Sequence, residues 1–180
     1  MKTHFFFKTA RCVTNVVLMV LLMTSCSSDD DTNTVPEPTN TIYDYLLNDS
    51  DYSEFSEAVN FTGFEAQLRD MSMDYTVLVP TNDAFDDYYA EHEFESDEAK
   101  IEALNIILRQ HIFQNEMIDY DDADEGISTQ NMNGEDMSFY IEGVTMVIDR
   151  NETFATLALE TDIEVDNGII HIVRDVISAN

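Results

Sequence analysis

An α+β domain is the fold class this sequence predicts, on three observations. Apolar residues recur at steps of three and four through the first half: Ile42, Tyr45 and Leu46; Phe55, Ala58 and Val59; Phe64 and Leu68; then Ile101, Leu104, Leu108 and Ile112. In the second half the period changes to two. Phe139 and Ile141 alternate with polar positions, Val144 to Ile148 is a β-branched run, and Ala155, Leu157 and Leu159 alternate again. The pairs Asn133-Gly134, Glu142-Gly143 and Arg150-Asn151 separate these runs as turns. Helices first and an antiparallel meander afterwards place one layer of helices against a sheet.

The first helices are short, because Asn48-Asp49 and Thr62-Gly63 interrupt them. Residues 74 to 79 form the first strong strand, with Val77 and Val79 on one face and Leu78 on the other. Pro80 ends its ladder, having no N–H to donate. A helix follows at once, with Thr81 or Asn82 as N-cap, Asp83 and Asp86 at its positive end, and Phe85, Tyr88 and Tyr89 on its apolar side. Ser96 caps the next helix, with Asp97 and Glu98 in the first turn. A last hairpin joins Ile163 and Val165 to Ile169 through Val173, and Asn167-Gly168 supplies a tight turn with positive φ. No internal repeat occurs, so the domain is present once.

Two stretches are specific beyond their secondary structure. One runs Thr76-Val77-Leu78-Val79-Pro80-Thr81-Asn82-Asp83-Ala84-Phe85; the other runs Asn167-Gly168-Ile169-Ile170-His171-Ile172-Val173-Arg174-Asp175-Val176. Together they resemble the two conserved blocks of the fasciclin-like (FAS1) domain, in the family's order and at about its separation. The resemblance covers residues 38–178. It implies a β-rich wedge of antiparallel strands with short helices packed on one side and end, and a binding role toward proteins, glycans or matrix. The matching motif positions are Thr76, Pro80, Thr81, Asn82, Phe85, Asn167, Gly168 and His171. His111 matches the histidine of the family's Tyr-His segment, but Gln110 stands where the tyrosine would be. The adhesive role tied to that segment in some animal members is therefore not carried over. In the second block the charges are exchanged, as Arg174-Asp175. These positions are read as folding devices, with the two block strands as neighbours in the core.

The amino terminus has its own logic. Lys2, Lys8 and Arg11 precede an unbroken apolar run from Val16 to Met23, and no acid occurs before Asp29. The run is shorter than the roughly 20 residues a membrane span needs, and it suits a signal-peptide core. Small residues before Cys26 resemble a bacterial lipoprotein processing site. Residues 1–25 are thus expected to be a lipoprotein signal peptide, Cys26 the lipid attachment point, and residues 26–37 a flexible polar tether. Cys12 would be removed with the leader, so the mature chain would keep one cysteine and no intramolecular disulfide. Ser28-Asp29-Asp30-Asp31 also resembles an acidic surface-export signal, with a solvated tether as the alternative reading. The expected location is the bacterial cell envelope, on the outer membrane, with outward-facing and periplasmic placement left open between those two readings.

Eight basic residues stand against 37 acidic ones, a formal charge of −29. Lys2, Lys8 and Arg11 lie in the leader and no acid does, so its removal lowers the charge by three, to −32. That excludes nucleic acid, which requires a basic footprint, and anionic lipid headgroups. It leaves neutral glycans, basic protein partners and divalent cations.

No catalytic constellation emerges, no cofactor is implied and no metal site is assigned. His171 sits inside an apolar strand, where a neutral imidazole can satisfy itself on the backbone. Asp119-Tyr120-Asp121-Asp122-Ala123-Asp124-Glu125-Gly126 is the densest acid cluster. Neither start in it fits the calcium-loop pattern, since Ala123 or Gly126 falls at the fifth position. It reads as a solvated loop, with an irregular calcium site as the alternative. The functional expectation is a lipid-anchored adhesion or ligand-binding module for an unknown protein or glycan, without enzymatic activity. The alternative is a structural subunit of an envelope complex.

Overall fold

The computed structural model describes residues 40–178; the expected signal peptide, Cys26 and the tether lie outside the described residues. The helices are α1 (Ile42–Asn48), α2 (Ser53–Thr62), α3 (Glu65–Leu68), α4 (Asn82–Glu91), α5 (Asp97–His111) and α6 (Tyr120–Glu125). The strands are β1 (Tyr75–Pro80), β2 (Ile112–Gln114), β3 (Ile127–Gln130), β4 (Asp136–Glu142), β5 (Thr145–Arg150), β6 (Phe154–Val165) and β7 (Gly168–Val173). The strands make one sheet in the order β2-β1-β7-β6-β5-β4-β3. From β3 to β7 each strand pairs antiparallel with the next.

β1 and β7 are neighbours, as expected, but they run parallel, with Leu78 opposite His171 and Pro80 opposite Val173. The sheet is therefore not wholly antiparallel. Every residue of β1 and β7 is buried. Burial on both faces explains their continuous apolar sequence. Val77 and Val79 enter a core with Phe55, Phe85, Leu104, Leu108, Ile170 and Ile172, on the helical side. Leu78 and Val173 enter a second core on the other face, with Phe113, Phe139, Ile148 and Ile177.

Caps set the helix starts. The Thr81 side chain accepts from the Ala84 N–H at α4, and the Ser96 side chain accepts from the Ala99 N–H at α5. Gly63 closes α2 in the left-handed region at φ 77°. The apolar face of α5 is rotated from the expected one. Leu104, Ile107, Leu108 and His111 are buried, Ile101 is exposed and Ile112 already belongs to β2.

Three expectations are corrected. The acid-rich stretch is a helix and not a loop. Asp119 accepts from the Asp122 N–H, and the Asp122 side chain accepts from the Asp119 N–H, in a reciprocal cap. The alternating segments around Leu157 and Val165 are one strand, β6, with irregular register between Ala158 and Ile163 and a positive φ of 59° at Asp162. Finally, the last hairpin turns at Asp166-Asn167, with Val165 opposite Gly168, and neither Asn167 nor Gly168 has a positive φ. The reason lies in what those two residues touch.

Candidate binding surface

The two motif blocks lie side by side as β1 and β7, and their polar side chains are tied to backbone. Asn167 Oδ1 accepts from the buried Ile42 N–H at 2.9 Å, and Nδ2 donates to the Leu68 and Asp70 carbonyls at 3.0 and 3.2 Å. One side chain thus joins the β6–β7 turn to α1 and to the end of α3. Gly168 packs so closely on β1 that a Cβ there would sit 2.1 Å from the Tyr75 carbonyl oxygen. Thr76 Oγ1 donates to the Glu116 carbonyl and accepts from the Ile118 N–H. Asn82 accepts from the Glu54 N–H at 3.0 Å and donates to the Ser50 carbonyl at 2.8 Å, holding α2 on α4. Phe85 is fully buried, 6.3 Å from the Phe55 ring.

Both buried histidines are held as neutral tautomers. His171 Nε2 donates to the Ile118 carbonyl at 2.7 Å, and Nδ1 accepts from the Asp162 N–H at 3.2 Å. The irregularity in β6 is what aims the Asp162 amide at this ring. Burial pushes the His171 pKa down against the pull of Ile118, Asp162 and Asp119, so the 4.0 Å approach of Asp162 Oδ1 is not an ion pair. His111 Nδ1 donates to the Ile107 carbonyl at 2.8 Å and Nε2 accepts from the Ile177 N–H at 3.1 Å. Burial pushes its pKa down to about 4.

A depressed histidine pKa stabilises the fold above the unfolded value of about 6.5 and withdraws that stability as pH falls toward the folded value. Between pH 6.5 and 5, where most carboxylates stay charged, His111 alone is expected to lower stability by about 2 kcal/mol. His171 acts in the same direction. Urea unfolding at the two pH values checks this. The slope should shrink in His111→Gln, and an unchanged slope would remove His111 as its source.

Gln110, which stands where the family's tyrosine would be, is buried and donates to Glu135 Oε2 at 2.9 Å. Arg150 Nη1, also buried, donates to the Ser178 carbonyl at 2.7 Å and lies 3.8 Å from Glu135. In the exchanged pair, Asp175 accepts from Thr156 Oγ1 at 2.9 Å, and its N–H donates back to that hydroxyl at 3.1 Å. Arg174 projects outward, 3.3 Å from Asp175.

An open cleft of about 450 Å³ lies where the blocks reach the surface. Thr81, Asn82, Asp83, Ala84 and Asp87 line one wall, with Asp51, Leu159 and Arg174 completing it. Three carboxylates and one guanidinium suit a polar or cationic group rather than an anion. Asp51, Asp87, Leu159 and Arg174 come from four separate segments, so no local sequence signal could have grouped them. Among the described residues no group of three or more His, Cys, Asp or Glu could hold a metal ion.

The family model for the fasciclin domain matches residues 50–179. Helix α1 precedes that span, yet its Ile42 amide is bound by Asn167 within it. Among solved structures the fold is similar to a FAS1 domain pair from the insect cell adhesion molecule Fasciclin I, with a TM-score of 0.65 and 19% identity. The match covers 79% of this chain and 52% of that one, so the chain spans about half the length of the insect structure. No curated protein matches. With the family's domain model covering well over half of its length, this chain belongs to the fasciclin domain family.

Proposed function

We propose that this protein is an adhesion or ligand-capture module of a bacterial envelope, anchored by lipid on Cys26 and taking a protein or glycan ligand. Fasciclin domains are in general adhesion-related and non-catalytic. One observation carries the reading for this chain. The polar side chains in its buried motif blocks, including His171, Thr76 and Asn167, are bonded to main-chain groups, while the surface is strongly acidic. The motif residues hold the fold, and the surface is left to meet a partner. The leader-like start, Cys26 and the polar stretch after it support a tethered, exported form.

Protease shaving of intact cells tests this. The protein should be removed while a periplasmic control survives, and Cys26→Ala should abolish palmitate labelling. Protection equal to the control would sink outward exposure. Label retained in the variant would sink the anchor.

A further inference from the structure

The two edges of the sheet are treated differently. At the β2 edge, Ile112 and Phe113 are fully buried, and the Ile112 carbonyl accepts from the Met132 N–H at 2.9 Å. At the β3 edge nothing comparable lies over the strand among the described residues. Ser128 and Gln130 are exposed, and Ile127 and Thr129 are half-buried. The polar side chains of β3 are tied back to β4, through Ser128 Oγ to Ser138 Oγ at 2.8 Å and Gln130 Nε2 to Asp136 Oδ1 at 2.9 Å. Among the described residues, residues 127–130 make no backbone–backbone bond outside the pairing with β4. β3 has no lysine, no proline and no charge, which are the usual ways of blunting an edge.

The surroundings say what could pair there. Asp121, Asp124 and Glu125 on α6 are exposed just ahead of β3, and none has an ion pair among the described residues. Two cations are engaged beyond the other end of the strand, where Arg109 donates to the Met132 carbonyl and Arg150 approaches Glu135. Two copies at a formal charge of −29 each repel, so self-pairing is disfavoured.

We propose that β3 is a docking edge for an extended, basic segment of a partner protein, added as an eighth strand with its cationic end beside α6. Main-chain bonds would supply the affinity, and the carboxylates the choice of partner. This deepens the binding-module reading and rests on it.

The probe is an eight-residue peptide of alternating valine and threonine with two lysines at each end, compared with its glutamate counterpart, added to the full chain. The lysine peptide should bind at least about tenfold more tightly, weakening as salt rises. Amide exchange should slow at residues 127–130 and stay unchanged at 112–114. The triple variant Asp121→Lys, Asp124→Lys, Glu125→Lys alters only exposed side chains and should shrink the preference for the lysine peptide. Equal affinities, no binding, protection confined to other strands, or self-association that protects β3 would each overturn the proposal. Shaving reports exposure on the cell and the peptide reports the edge, so either reading can fail without the other.

Discussion

Gly168→Ala should destabilise the domain by about 4 kcal/mol or more, near the limit of what single substitutions do. The new methyl carbon would lie 2.1 Å from the Tyr75 oxygen and 2.9 Å from its carbonyl carbon. Those atoms are main chain in a fully buried strand, so no side-chain rotation relieves the clash. The Ile42 Cδ1, at 3.1 Å, closes the third side. Relief requires β1 and β7 to part at the Tyr75–Gly168 register, beside Ile42 and Tyr75 of the helical-side core. For a domain of this size the midpoint of thermal unfolding should fall by roughly 15 °C. Gly143→Ala separates steric contact from backbone strain. Gly143 has a φ of 71° and no atom within 4 Å of an added Cβ, so its substitution should cost about 1 kcal/mol. Equal losses in the two variants would overturn the close-approach account.

Asn167→Ala should cost about 3 kcal/mol, because it orphans partners rather than removing bulk. The Ile42 N–H and the Leu68 carbonyl are buried and have this side chain as their partner. The Asp70 carbonyl, less buried, loses a third bond. Amide exchange adds a local readout. Protection of α1 should drop more than that of α5, since α1 is held to the β6–β7 turn through Asn167. A loss under about 1 kcal/mol, with α1 unaffected, would show that water replaces the amide.

These two residues also show where sequence reasoning succeeds and where it stops. Asn-Gly before a β-branched run is a sound signal for a hairpin, and the hairpin exists. The turn is one residue earlier, because the Asn167 side chain faces inward to α1 and α3 and Gly168 is needed for proximity, not for φ. Distant contacts decided that. The β1 strand, the Thr81 cap and the Ser96 cap were legible because each depends on neighbours within four residues. Helix α6 was hidden by its own acids, which resemble a solvated loop until Asp119 and Asp122 are seen to cap each other. The parallel pairing of β1 with β7 was beyond reach, since neighbourliness follows from shared burial but direction does not. The cleft was equally invisible, because Asp51, Leu159 and Arg174 meet only after the fold forms.

The place of β7 has a consequence for how the protein is made. This strand is the last of the described strands, yet it lies between β1 and β6. Its partner β1 precedes it by about 90 residues, a long loop whose closure is entropically costly and slow. A nascent chain can form α5 or the β4–β5 hairpin early, but it cannot bring β1 and β6 into one sheet before β7 is released. Until then the hydrophobic faces of β1 and β6 lack the strand that separates them. The domain is therefore expected to complete its sheet only once β7 has emerged, so β1 waits without its parallel neighbour through most of the domain's synthesis.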